Sequence, residues 1–359
     1  MFNFERTTNT MHLKILTLIT LVWFQYNSFA YELVKNFSCA NQEKFKVSIT
    51  NLQSGTYVTT VNGCLTDTEA YFVELGRGVH AVPKGTFVNM INLKTITLQN
   101  HNLGELAPGF ILNAPKLQEI YASNNFIKSI KRGVFNGMNL TRLLMNSNRI
   151  YRIEEGALAN MNIARLDLAN NQLTRIRSDW FENVFINELD LSYNKITTIE
   201  KNVFDRISNL TTLNLNYNSI SFIPIGSFSN QQDLKKLYLA GNELKEVDFL
   251  DITLDALDVG FNQISYLPFK NWTKINDIMI YPNPWDCKCL LEFWKYAWKS
   301  KIRYGPSTTS KVSTETGEIP QCFSTQQQNC SYSYNRELVR KYFFHVKYNK
   351  FGTYVYNQW

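Results

Sequence analysis

Three aspartates recur at one place in a short apolar motif: Asp167 in LDLAN, Asp190 in LDLSY and Asp258 in LDVGF. If these segments pair as neighbouring strands, Asp167 and Asp190 stand ~4.8 Å apart from strand to strand. Two adjacent carboxylates could do acid–base work or hold calcium. Cys287 and Cys289, one residue apart, add a second chemically capable pair, since Cys-x-Cys can bind metal or exchange disulfides. Neither pattern is supported by its surroundings. Arg165 lies close enough to neutralise Asp167, and only His80, His101 and His345 stand after the first thirty residues. No metal motif, phosphate-binding loop or nucleophile elbow is present in the sequence. We therefore read the chain as a non-enzyme with no cofactor and no metal.

The elements that would position these residues repeat along the chain. The pattern L-x-x-L-x-L-x-x-N-x-L, with other aliphatics in place of some leucines, appears as LQEIYASNNFI, LTRLLMNSNRI, IARLDLANNQL, INELDLSYNKI, LTTLNLNYNSI, LKKLYLAGNEL and LDALDVGFNQI. The asparagines are Asn125, Asn148, Asn171, Asn194, Asn218, Asn242 and Asn262, at intervals of 23, 23, 23, 24, 24 and 20. LKTITLQNHNL is a degenerate copy with His101 at the asparagine position; INDIMIYPNPW keeps Asn283 but ends on Trp285. YFVELGRGVHAVPKGTF reads as a worn first copy. An unpaired buried amide costs about 1–3 kcal/mol, so an asparagine recurring among inward aliphatics needs a structural partner.

This consensus and period resemble the leucine-rich repeat family over roughly residues 70–285. The resemblance implies an α/β-type solenoid, or horseshoe. A curved parallel sheet would form its concave side, and an irregular or short-helical back its convex side. The asparagines would then form a ladder of hydrogen bonds to turn backbones, and LDLA and LDLS become ordinary consensus forms. Phe135, Phe181, Phe204 and Phe228 each fall ten residues after their asparagine, with Leu158 at the same place and Phe87 and Phe110 in earlier copies. We read these as an aromatic spine inside the back. The shorter last intervals predict tighter backs there.

Between the aliphatics, three columns are expected to face outward from the sheet. The middle column runs Thr97, Tyr121, Leu144, Asp167, Asp190, Asn214, Tyr238, Asp258, Met279. Before it comes Thr95, Glu119, Arg142, Arg165, Glu188, Thr212, Lys236, Ala256, Asp277. After it comes Gln99, Ser123, Asn146, Ala169, Ser192, Asn216, Ala240, Gly260, Tyr281. Exposed tyrosine and arginine are common interface anchors. Tyr121, Arg142 and Leu144 are therefore the first candidate ligand-binding cluster, and Lys236 with Tyr238 the second.

The ends point to export. Lys14, an apolar run from Ile15 to Phe24, and Ser28-Phe29-Ala30 have the form of a signal peptide cleaved after Ala30. The run is short for a membrane span of ~20 residues, and the expectation is a secreted, extracellular protein without a transmembrane anchor. The organisation reads as a signal at 1–30, an N-terminal cap at 31–68, about nine to ten repeats at 69–285, a cysteine cap at 286–331 and a basic aromatic tail at 332–359. The six cysteines flank the repeats: Cys39 and Cys64 before them, and Cys287, Cys289, Cys322 and Cys330 after. An even number in an exported chain favours disulfides. NPWDCKCLLEFW with two later cysteines resembles the C-terminal cysteine cap of extracellular members of the family. That resemblance implies Cys287–Cys322 and Cys289–Cys330. At the other end a single pair, Cys39–Cys64, departs from the usual four-cysteine cap. Asn36, Asn139, Asn209 and Asn271 are glycan acceptor candidates; Asn329, followed by Cys330, is a poor one.

The net charge is +7, yet residues 31–285 are neutral and the excess sits in residues 286–359. A neutral sheet in an exported chain argues against nucleic acid. The basic end reads as a solvated tail, with acidic glycans or a membrane surface as the alternative. The chain as a whole resembles insect secreted leucine-rich immune-type proteins and the ectodomains of Toll-like and adhesion receptors. That implies a binding protein for an extracellular protein or a microbial surface ligand, in innate immunity. It also implies assembly as a dimer or with another leucine-rich repeat protein, though no sustained heptad follows Cys330. The alternative is a structural component of extracellular matrix or cell adhesion.

Overall fold

A computed structural model describes residues 44–51, 55–76, 78–249, 252–269 and 275–306, together with Cys322 and Arg340. The expected signal peptide, Cys39, Cys330, Asn36, Asn271 and the tail from 332 apart from Arg340 lie outside the described residues.

One sheet runs through the molecule. Its main strands are β1 (Lys44–Asn51), β2 (Gly55–Asn62), β3 (Ala70–Leu75), β4 (Thr95–Thr97), β5 (Glu119–Tyr121), β6 (Asn139–Leu144) and β7 (Asn162–Asp167). They continue as β8 (Val184–Asp190), β9 (Thr212–Asn214), β10 (Lys236–Tyr238), β11 (Leu254–Asp258), β12 (Ile275–Tyr281) and β13 (Arg303–Pro306). From β3 onward each strand pairs in parallel with the next, giving about ten turns of a solenoid. The worn first copy and the degenerate last one are both genuine turns: Val73 pairs with Ile96, and Ile278 with Leu257.

The asparagine ladder holds these turns together. Asn194 Nδ2 donates to the carbonyls of Leu168 at 3.0 Å and Leu191 at 3.1 Å, while its Oδ1 accepts the Leu173 N–H at 3.0 Å. Each asparagine thus bridges its own turn and the one before, satisfying backbone groups that a buried turn would otherwise orphan. The same pattern runs from Asn125 to Asn283. His101 is buried at its rung, and its backbone N–H reaches Asn125 Oδ1. Trp285, at the final aliphatic position, is buried and donates its indole N–H to the Ile280 carbonyl.

The backs carry the aromatic spine. Phe87, Phe110 and Phe135 meet edge to face at 6.2 Å, and Phe204 stacks on Phe228 at 5.7 Å. Phe249 continues the line and lies seven residues after Asn242, as the shorter last intervals require. Otherwise the backs consist of turns, two-residue parallel pairs and 3-10 structure, as at Ser178–Trp180.

Both ends of the core are closed. β1 and β2 form an antiparallel hairpin, and β1 pairs antiparallel with β3, burying Val47 and Ile49 over the first turn. At the other end helix α1 (Cys287–Ser300) buries Cys289, Leu290, Phe293 and Ala297. Asp286 caps it by accepting the N–H groups of Lys288 and Cys289, and Lys301 ends it in the left-handed region. Cys287 is bonded to Cys322, the pairing expected for those two. Cys64 and Cys289 are also disulfide-bonded.

Candidate functional site

The middle column is one continuous row. Thr97 pairs with Tyr121, Tyr121 with Leu144, and so on through Asp167, Asp190, Asn214, Tyr238 and Asp258 to Met279, each opposite the next. Side chains alternate across a strand, so this register puts the whole row on one face.

Tyr121, Arg142 and Leu144 do come together. Arg142 Nη2 lies 3.2 Å from Glu119, and its Nη1 donates to the Tyr121 hydroxyl at 3.2 Å. Thr95 donates to the other Glu119 oxygen. On the next strand Arg165 pairs with Glu188 at 3.6 Å and Asp167 at 3.4 Å. Arg142 and Arg165 are register partners, and like charges opposite one another repel. Each is drawn to a carboxylate on its other side, so Arg142 is held rather than loose. Burial, helped by Glu119, raises the pKa of the Tyr121 phenol above its ordinary value. Lys236 is exposed and Tyr238 half-buried between Asn214 and Asp258. Three strands separate this pair from Leu144, roughly 19 Å along the sheet at ~4.8 Å per strand. The two candidates are therefore separate patches.

Two expectations about this face need correction. Asp258, placed outward by its column, is fully buried, and Asp167 is nearly so. Each folds back on its own turn: Asp258 Oδ1 accepts the Gly260 N–H, and Asp167 Oδ1 the Ala169 N–H, each at 3.0 Å. Asp190 does the same with Ser192, and Asn214 with Asn216. The short polar side chain folds onto the strand end and ties down a turn N–H, as Asx turns do. Burial raises the Asp167 pKa, partly offset by the Ala169 N–H. Much of the third column also turns inward as the chain enters the turn: Ser123, Ser192, Asn216, Ala240, Gly260 and Tyr281 are buried, while Gln99, Asn146 and Ala169 stay half-exposed. The open surface is the first column and part of the middle one.

One set of residues escaped the sequence reading. The residue before each ladder position from His101 to Asn262 has a positive φ: Asn100, Asn124, Ser147 and Asn170 in the first half, then Tyr193, Tyr217, Gly241 and Phe261. A bulky residue there is an outlier, whereas asparagine is tolerated. Tyr193 and Tyr217 stack at 4.6 Å and 17° between planes, and Tyr193 stays 45% exposed. Gly241 leaves room for this pair: a Cβ there would sit 2.5 Å from the Tyr217 ring. The signal was in the sequence, in SYN and NYN where the earlier copies read SNN, NSN and ANN.

Among known proteins, the leucine-rich repeat family model matches residues 91–150, 161–220 and 208–264. Leucine-rich repeat-containing protein 3 of Danio rerio is 28% identical over 113 residues, which is 30% of this chain and 41% of that protein. A chain of the glycosylated Toll–Spatzle complex, described as a hub in Drosophila development and innate immunity, superimposes with a TM-score of 0.50. It is 18% identical and the match covers 76% of this chain and 42% of that one. A chain of the complex of Latrophilin 3, Unc5D and FLRT2 gives a TM-score of 0.49 at 17% identity, over 70% of this chain and 88% of that one. This chain thus spans less than half the length of the first two. The repeat consensus, the in-register parallel sheet, the asparagine ladder and the family match together show a leucine-rich repeat solenoid fold.

Proposed function

We propose that the protein is secreted and binds an extracellular protein or a microbial surface ligand on its sheet face, in an innate-immune role. The observation that carries this reading is the Tyr193–Tyr217 pair. The repeat places asparagine or serine at that site in four other turns and does not need tyrosine. Strained backbone that the fold does not require is a mark of recognition. The export reading rests on the residues before Ala30, the paired cysteines and the sequons. Of the latter, Asn139 and Asn209 are exposed and open to a glycan. The chain above comes from the Toll–Spatzle complex, an assembly of two proteins, and carried to this chain that is a proposal of partner class only.

The test is to recover the protein from the medium cross-linked to its partner and to identify that partner by mass spectrometry. Alanine variants at Tyr121, Arg142, Leu144, Lys236, Tyr238, Tyr193 and Tyr217 are then compared. A true anchor should cost about 2 kcal/mol or more, ~30-fold in affinity. Normal binding by every variant, with loss on removing residues 331–359, would move recognition to the tail.

A further inference from the structure

Helix α1 closes the core with one face and leaves the other in water. The outer face is not a plain charged surface. Leu291, Trp294 and Trp298 follow one another at i, i+3 and i+7, so they stand in a line. Lys288, Lys295 and Lys299, spaced i, i+7 and i+11, form a second line beside it. All three lysines are exposed.

Two tryptophans one turn apart have opposite roles. Trp294 is half-buried, donates to the Tyr281 hydroxyl at 3.1 Å and stacks on Tyr304. Its position is explained by the fold. Trp298 is 87% exposed, and Leu291 beside it 47%. The fold gains little from either. Tryptophan is favoured where one end of a ring meets an apolar phase and the other water. The charge of the molecule is concentrated at this end too: residues 31–285 are neutral, and the excess lies in residues 286–359. Among the helix's own residues the acidic group beside the lysines is Glu292, half-buried; Asp286 is buried as the helix cap.

We infer that this face of α1 docks on an anionic phospholipid bilayer, with Trp298 and Leu291 at the acyl boundary and the lysines among the headgroups. An amphipathic helix with tryptophan and leucine beside lysine has the form that lies in a membrane interface. A sulfated glycan would satisfy the lysines but offers no apolar phase to Trp298. The chain's own segment 331–359 carries +4 and would meet the lysines with like charge. Docking here would hold the solenoid by one end and leave its sheet face free.

The experiment is flotation of the purified secreted protein with vesicles of phosphatidylcholine, with or without phosphatidylserine. The expected result is flotation with the mixed vesicles only, weakening as salt is raised. Lys295→Gln with Lys299→Gln should lower the partition about twenty-five-fold, each lysine near an anionic surface being worth about fivefold. Brominated lipid should quench part of the tryptophan emission, and Trp298→Ala should remove that quenching. Because Trp298 is so exposed, this variant should keep the wild-type melting temperature. Equal flotation of all variants would overturn the proposal. So would binding to heparin without binding to vesicles, or binding through Trp298 to a protein partner without binding to vesicles.

Discussion

The same backbone position tells two stories in the two halves of the solenoid. In the first half the left-handed residue before the ladder is Asn100, Asn124, Ser147 or Asn170; in the second it is Tyr193, Tyr217, Gly241 or Phe261. Asparagine and glycine reach that conformation readily, whereas a tyrosine there stores strain of about 1–3 kcal/mol. The second half recovers part of this through ring stacking, worth about 0.5–1.5 kcal/mol. The nearby cluster of Tyr121, Arg142 and Leu144 breaks no such rule. It is built from outward strand positions any leucine-rich repeat can vary. The difference separates residues the repeat permits from residues it tolerates at a cost, and the latter are stronger evidence of selection for something other than folding.

The largest effect should come from the feature both halves share. Asn194→Leu strips the ladder of its bonds to Leu168, Leu191 and Leu173. It should destabilise the protein by about 3 kcal/mol, at the top of the range for one orphaned buried group because several are affected. Denaturant melts of the purified variant would check it.

Gly241→Ala should come next. The added Cβ meets the Tyr217 ring and the φ of +67° is poor for alanine. A loss of about 1–2 kcal/mol is expected, with altered near-ultraviolet dichroism as the tyrosine pair shifts.

Tyr193→Asn copies the first half's residue into the second. Strain relief and lost stacking oppose each other, so the melting point should change by less than about 1 kcal/mol equivalent. Binding to the recovered partner should nevertheless fall. If this variant were strongly destabilised and bound normally, the tyrosines would be structural and the two halves equivalent.

The smallest effect concerns pH. Burial raises the Asp167 pKa in the folded state above its unfolded value. The folded protein therefore holds that proton more tightly, and stability falls as pH rises from the ordinary carboxylate range through the raised value. Asp167→Asn should flatten this slope while keeping the bond to Ala169, as Asn214 keeps the equivalent bond to Asn216 at 3.1 Å. Melting curves across mildly acidic pH compare the two.

Much of this was legible in the sequence because period determines it. The register of the rows and the spine follow from spacing, and the ladder from the resemblance to leucine-rich repeats. Depth does not. Asp258 and Asp190 occupy the same column and make the same bond to the turn, yet one is fully buried and the other half-exposed; column position alone does not set depth. The N-terminal hairpin was carried by period-two alternation at Val47 and Ile49, a short signal beside the long repeat. The tyrosines before the ladder were visible as letters, but their strain depends on a φ angle that no pattern of hydrophobicity encodes.

The central claim is that recognition belongs to the sheet face. Hydrogen–deuterium exchange of the purified protein, free and with its recovered partner, tests it most directly. The account predicts new protection in the peptides spanning 119–144 or 190–241, with the backs unchanged. Protection confined to 287–300 or to 331–359 would contradict it.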